Sequence, residues 1–307
     1  MRTLATMIVS ASYKTDIPAF YGAWFINRLR KGYCRTRNPW GGQVSDVPLD
    51  RDSVDGFVFW TRNAAPFMHA LYEVRRRGYP FFVQYTITGY PRALERSVPE
   101  PERAIRSAHE LAREYGADAV AWRYDPIQVS SLTPTAYHLK NFAALAERLA
   151  GAANEVVVSF THLYRKTRRN LDHSGAEAGF AWSDPSPQQK RGLVIELTRL
   201  AERCGLKLSV CAQPAFLAGG AEAARCVDAA RLARIGGAPI AARERSNRPG
   251  CACHQSKDIG EYETCPHGCT YCYAVDKRAR AVERLEAHDP AGALLAPPSP
   301  SFTTADR

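Results

Sequence analysis

The sequence predicts an α/β fold, a closed or partial (β/α) barrel of about six parallel strands with a C-terminal cysteine-rich cluster-binding segment. Three observations carry this expectation. Six short apolar runs rich in Val, Ile, Phe and Tyr recur along the chain. Segments of helical period lie between them. Seven of the nine cysteines fall between Cys211 and Cys272. Strands alternating with helices read as βα units, whose right-handed crossovers roll a parallel sheet toward a barrel.

The strand runs are residues 7–12, 56–61, 81–88, 119–124, 155–162 and 207–212. Helices are expected over 19–31, 66–77, 101–115, 134–150 and 187–204, four of them opening at a proline. Proline suits a first helical turn because its missing N–H has no partner there anyway. Beyond Gln213, the alanine-rich stretch 216–243 reads as helical, with breaks at Gly219-Gly220 and Gly236-Gly237. A short helix is expected over 277–287, and residues 291–307, rich in Pro, Ala and Ser, read as a disordered tail. The organisation is then a barrel-like domain over 1–250, a cysteine-rich segment over 251–290 packed on the barrel mouth, and the tail over 291–307.

Apolar and charged fractions of 45% and 23% are those of a soluble globular protein. No apolar run approaches the roughly 18–20 residues that span a bilayer, so no membrane partner is expected. Residues 1–9 carry one arginine and run straight into Ser10-Ala11-Ser12, unlike a signal peptide. The expected compartment is therefore the cytoplasm, where clustered cysteines serve metal or redox chemistry rather than disulfides. A net charge of +10 fits either an anionic partner or a solvated basic surface.

In parallel α/β folds, sites are built where strands give way to loops. That edge supplies Arg62, Arg123, Asp125 and His162 as substrate-facing candidates, with Lys14 and Asp16 after the first strand. Asp16 before Ile17-Pro18 reads equally as a helix cap, and Arg123–Asp125 more readily as a rim ion pair.

Cys265-Pro-His-Gly-Cys269-Thr-Tyr-Cys272 is a C-x-x-x-C-x-x-C run. Soft thiolates at this spacing wrap one metal centre, and three of them on a cubane leave one iron open. A structural zinc takes four ligands and no vacancy, with Cys251 or Cys253 as the fourth. Zinc ribbons usually repeat C-x-x-C, so the spacing favours iron–sulfur. Gly268 permits a tight turn. Cys251 and Cys253, two apart in extended chain, point to one side. With Cys211 and Cys226 they would complete a second [4Fe–4S] cluster or a zinc site, although Cys211 and Cys226 each alone read more readily as a small buried hydrophobe. Cys34 and Cys204 read as packing residues.

With Tyr271 before its third cysteine, the motif resembles that of radical S-adenosylmethionine enzymes. The resemblance implies a [4Fe–4S] cluster on Cys265, Cys269 and Cys272 and S-adenosylmethionine on the open iron. It places Tyr271 near the adenine, in the loop turned by Gly268, and calls for a reductant such as a flavodoxin or ferredoxin. Two differences accompany it: the motif follows the last expected strand instead of the first, and the second strand ends in Trp60-Thr-Arg-Asn63, not Gly-Gly-Glu. Ser10-Ala-Ser-Tyr-Lys-Thr-Asp-Ile-Pro-Ala-Phe-Tyr21, Arg37-Asn-Pro39, Phe59-Trp-Thr61, Trp122-Arg-Tyr-Asp-Pro126, Leu163-Tyr-Arg-Lys-Thr-Arg168 and the stretch from Asp258 to Ala274 resemble the bacterial family called domain of unknown function 1848. That family brings no assigned reaction.

The expected function is an iron–sulfur, radical S-adenosylmethionine-like enzyme of unknown substrate. The alternative is a metal-stabilised nucleic-acid-binding or DNA-repair-associated protein without radical chemistry, supported by the basic run Arg165-Lys-Thr-Arg-Arg169. The two meet in the Tyr271-Cys272-Tyr273 ending, which resembles photolyase-like radical enzymes that act on DNA.

Overall fold

A computed structural model describes residues 6–245 and 248–296. Strand β1 (Met7–Ala11) leads through α1 (Ile17–Phe20) and α2 (Gly22–Lys31) into the hairpin β2 (Tyr33–Arg37) and β3 (Val44–Pro48). Then come β4 (Val54–Thr61), α3 (Met68–Arg76), β5 (Phe81–Thr86), α4 (Pro101–Tyr115) and β6 (Val120–Ile127). The middle of the chain forms β7 (Val129–Ser130), α5 (Thr135–Leu149), β8 (Glu155–Phe160), α6 (Arg165–Ala178), β9 (Trp182–Ser183), α7 (Pro187–Arg203) and β10 (Lys207–Val210). The last part adds β11 (Glu222–Ala223), α8 (Ala229–Gly236), β12 (Ser256–Asp258) and α9 (Arg278–Glu286).

Eight parallel strands form one sheet in the order β11-β10-β8-β6-β5-β4-β1-β12. The six expected runs are six of its strands. The two extra strands, β11 and β12, are the edges, and both are too short to show a period. Among the described residues no pairing joins β11 to β12, so of the expected closed or partial barrel the structure shows the parallel sheet without a ladder that closes it. Closure needs a continuous staggered ladder around the ring, and edge strands of two and three residues cannot supply one.

Alternate residues of each strand face opposite sides. Val9, Phe57, Phe59, Val83, Trp122 and Val158 belong to the main core with buried residues of α2, α3, α4, α5 and α7. Their neighbours Ile8, Val58, Phe82, Ala121 and Val157, one from each of five adjacent strands, pack in a second core with Cys211, Cys226, Val227, Leu232 and Cys253. Burial on both faces is why the strands read as continuous apolar runs rather than alternating ones.

The second face is covered by the chain between β10 and β12, and there the expectation of a long helix over 216–243 fails. Only α8 is helical. Gly219 and Gly220 turn at φ +63° and +90°, Glu222–Ala223 pairs with β10, and Ala224, Cys226 and Val227 are buried against the sheet. Helix formation waits for Asp228, whose side chain caps α8 by accepting from Ala230 N at 2.9 Å. The expected helix over 19–31 is two helices, α1 and α2, parted at Tyr21.

The expected tail begins later than Ala291. Trp24 Nε1 donates to Gly292 O at 3.0 Å, Arg28 Nη2 to Ala291 O at 2.8 Å and Arg35 N to Ala293 O at 2.9 Å. Leu295 is buried, and the rest of the expected tail, 297–307, lies outside the described residues. Among the described residues no helix is long and apolar enough to cross a membrane.

His138 of α5 lies fully buried, with Nδ1 2.9 Å from the Tyr124 hydroxyl and Nε2 3.1 Å from Gln128 O. Burial pulls its pKa down to about 4, whereas an unfolded chain's histidine titrates near about 6.5. Between those values the unfolded chain binds more protons, so stability rises with pH. The contribution, about 3 kcal/mol, is complete above pH ~6.5 and is lost as pH falls through the folded value. Urea unfolding of the wild type from pH 7.5 to pH 4.5 is expected to fall more steeply than that of His138→Gln. Equal slopes would show that His138 is not a buried neutral imidazole.

Candidate functional site

The C-terminal ends of the central strands open onto a cavity of about 360 Å³. Seven cysteines line it: Cys211 beyond β10, Cys226 beyond β11, Cys251 and Cys253 before β12, and Cys265, Cys269 and Cys272 after it. None of the nine cysteines is in a disulfide. Chain order alone put the three-cysteine loop after the last expected strand. In space it follows β12, the parallel neighbour of β1, so it reaches the same edge as the first strand's exit.

Asp258, the last residue of β12, fixes that exit. Its carboxylate accepts from Ser10 Oγ at 2.8 Å, Ser12 Oγ at 2.8 Å, Tyr13 N at 3.1 Å and Gly260 N at 3.0 Å, with Lys14 Nζ at 3.5 Å. A Cβ on Gly260 would lie 2.0 Å from Ser12 Oγ, so only glycine passes. The cysteine loop then docks on 94–97, where Ser97 N donates to His267 O at 2.8 Å and Thr270 N to Leu94 O at 3.0 Å. Gly268 takes φ +74° and presses on Arg278, whose Cδ would be 2.7 Å from a Cβ, in keeping with the expected tight turn.

Asp16 fills two roles. Oδ1 caps α1 by accepting from Ala19 N at 2.9 Å, while Oδ2 accepts from Arg62 N at 2.8 Å and stands 2.9 Å from His267 Nε2 inside the cysteine loop. Arg62 donates to Glu95 Oε1 at 2.8 Å, Thr88 Oγ1 at 3.2 Å and the Tyr271 hydroxyl at 2.8 Å, and that hydroxyl in turn donates to Glu95. Burial alone would lower the pKa of Arg62, but the charges of Cys269 and Glu95 outweigh it and hold the guanidinium protonated. Tyr271 lines the cavity, with its hydroxyl engaged by this network.

Arg123 donates to Asp125 Oδ2 at 2.6 Å, Gln84 Oε1 at 3.1 Å and Cys226 Sγ at 3.1 Å, and lies 4.8 Å from the Trp60 ring. Burial raises the Asp125 pKa, yet Arg123 and the Ser159 hydroxyl bring it below the usual value, so the carboxylate stays charged. Arg62, Arg123, Asp125, Lys14 and Asp16 therefore meet at one cavity, each already partnered by protein. His162 is not in its lining. It stands 3.4 Å from the Gln213 side chain instead, kept neutral by burial and by Arg248.

Cys265, Cys269 and Cys272 are half-buried residues, and burial of their thiols raises the pKa of all three, Cys269 to about 12. Cys211 and Cys226 are in contact, Sγ to Sγ 3.4 Å. In the side-chain positions found, no three His, Cys, Asp or Glu groups among the described residues stand together as a formed metal site. The donor chemistry still suits a soft metal, because seven cysteine sulfurs line one cavity.

Sequence reasoning passed over Arg248, Glu95, His267 and Asp258, and the rings of Tyr13, Tyr164 and Tyr262 in the lining. Only His267 had a local signal, its place inside the cysteine run. Of the basic run, Lys166 lies 5.9 Å from the Tyr262 ring, Arg169 pairs with Asp276, and Arg168 lies 5.7 Å from the Trp182 ring.

The family described as domain of unknown function (DUF1848) matches over residues 8–274. No curated protein matches. A crystal structure of D-hydantoinase is similar at a TM-score of 0.31 and 10% identity, over 68% of this chain and 42% of that one. A likeness at that level carries no argument.

Glu95 is the acceptor on which Arg62, Thr88 and Tyr271 converge. Glu95→Ala leaves a buried guanidinium without its counter-charge, and urea unfolding is expected to show a loss of about 3–5 kcal/mol. A loss under about 1 kcal/mol would show that Arg62 finds other partners.

Proposed function

The chain belongs to the DUF1848 family, and we propose that it is an iron–sulfur enzyme with a [4Fe–4S] cluster on Cys265, Cys269 and Cys272. One observation supports the reading above the others: the three cysteines of the C-x-x-x-C-x-x-C loop line the cavity at the sheet's C-terminal edge, next to the buried pairs Arg62–Glu95 and Arg123–Asp125. Three ligands leave one iron open toward that cavity. Bound there, the cluster would supply an electron and a binding position for a cofactor such as S-adenosylmethionine, fed by a flavodoxin- or ferredoxin-type reductant.

The residues of the chain have definable tasks in this reading. Arg62, beside Cys269, offsets thiolate charge at the cluster, and Glu95 holds both Arg62 and Tyr271 in place. Asp16 orients His267 and with it the turn of the loop. Trp60, Tyr13 and Tyr262 wall the cavity against water, and Lys14 and Asp125 present charge to a substrate entering from the mouth.

A second reading concerns what enters. Helix α6 opens at the rim with Tyr164 and Arg165 exposed and Lys166 over the Tyr262 ring. Bases stack on such rings and phosphates follow such cations, which favours a nucleic acid as the macromolecule presented to the site.

Protein purified without oxygen is expected to be brown and to hold about four iron and four sulfide per chain, with Cys269→Ala losing both. Adding S-adenosylmethionine should change the electron-resonance spectrum of the reduced protein. A colourless folded protein with zinc in place of iron would overturn the reading. If α6 tracks a phosphate backbone, affinity for single-stranded DNA or RNA should fall steeply with salt, and neutralising Arg165, Lys166 and Arg168 should flatten the slope. Absent or salt-independent binding would remove nucleic acid as the substrate class.

A further inference from the structure

We propose that Cys211, Cys226, Cys251 and Cys253 form a closed site for one tetrahedral divalent metal ion, zinc by ligand chemistry, which ties the two edges of the sheet together. The site is separate from the proposed cluster and does not rest on it.

The argument begins with where the four sulfurs come from. Cys211 and Cys226 follow β10 and β11 at one edge of the sheet, and Cys251 and Cys253 precede β12 at the other. They nevertheless line one cavity: Cys211 Sγ lies 3.4 Å from Cys226 Sγ, and Val227 N, next to Cys226, donates to Cys253 Sγ at 3.4 Å. Cys211, Cys226 and Cys253 are buried in the second core, and Cys251 packs against it.

The sulfur–sulfur contact favours zinc over a cluster. Zinc–sulfur bonds of about 2.3 Å at tetrahedral angles set ligand sulfurs about 3.8 Å apart. A contact of 3.4 Å between Cys211 and Cys226 is close to that distance. In a cubane each thiolate sits on its own iron, and the sulfide corners hold the thiolates well beyond contact. Metal binding at this site requires the thiols to rotate between staggered rotamers and gather the four sulfurs into a tetrahedron.

The surroundings suit the charge such a site carries. Four thiolates around a divalent ion leave two net negative charges. Arg123 Nη1 donates to Cys226 Sγ at 3.1 Å, Arg248 Nη2 to Cys211 Sγ at 3.4 Å, and Val227 N to Cys253 Sγ at 3.4 Å. Hydrogen bonds of this kind hold and tune metal ligands. With four ligands there is no vacancy, so the site is structural. Among the described residues its two sides are joined by a bridge, Glu244 to His254, and by loop hydrogen bonds such as His254 N to Val227 O at 3.0 Å.

The test uses the full chain, with Cys265, Cys269 and Cys272 all changed to Ser in one variant and Cys251 and Cys253 changed to Ser in another. The wild type and the first variant are each expected to hold about one zinc per chain, and the second none. Cobalt exchanged into the wild type should give the intense visible bands and sulfur-to-cobalt charge transfer of a tetrathiolate site. That reading stands even if the Cys251/Cys253 variant fails to fold. Arg248→Met should weaken zinc binding about 10- to 100-fold. The proposal is overturned if neither zinc nor cobalt binds the wild type, if the Cys251→Ser/Cys253→Ser protein folds and keeps its zinc, or if the first variant purified without oxygen carries iron and sulfide here instead. Loss of zinc in the first variant alone would assign the metal to the Cys265 loop and overturn it equally. Loss of iron there with zinc retained supports both proposals.

Discussion

The carboxylate of Asp258 gathers two serine hydroxyls, two backbone N–H groups and the Lys14 ammonium, and with them joins the end of β12 to the exit of β1. Hydrogen bonds to a charged group contribute about 1.5–3 kcal/mol each, and here several share one acceptor with almost no exposure. The rest of the site depends on this junction. It holds a three-residue strand at the sheet's edge, and it directs the chain across Gly260, where no side chain fits. From there the loop of Cys265, Cys269 and Cys272 turns onto the mouth of the cavity instead of away from it.

The second constraint is electrostatic. The cavity wall carries the guanidiniums of Arg62, Arg123 and Arg248, and each meets an acidic or sulfur partner. Buried charges persist only when paired and hydrogen-bonded. Seven thiols in the same space are the groups that would become anionic on taking up metal. The cations are thus placed where metal loading would create negative charge, and this relates the two cysteine groups to the residues first read as facing a substrate.

Much of the sheet was legible in the sequence, because a strand buried on both faces announces itself as a run of Val, Ile and Phe. The edges were not. Glu222–Ala223 and Ser256–Asp258 carry no periodic signal, and they form strands because β10 and β1 offer them open ladders. The alanine-rich stretch misled for a related reason. Its composition favours helix, but tertiary burial of Ala224, Cys226 and Val227 against Phe82 and its neighbours overrode that preference outside α8.

The candidate site divides in the same way. The sequence by itself determined the candidates: the three-cysteine loop and the C-x-C pair as candidate metal ligands, and charged side chains at strand ends as candidates to face a substrate. Those are local properties, written in spacing over a few residues. Only the tertiary structure decided that Cys211 meets Cys226 and that both share one cavity with Cys251 and Cys253, that Asp16 reaches His267, and that Arg62 is spent on Glu95 and Tyr271 while His162 stands apart. The physical reason is separation along the chain. Ser10 and Asp258 are 248 residues apart and Asp16 and His267 are 251, and no local pattern links such pairs until the sheet brings its first and last strands side by side.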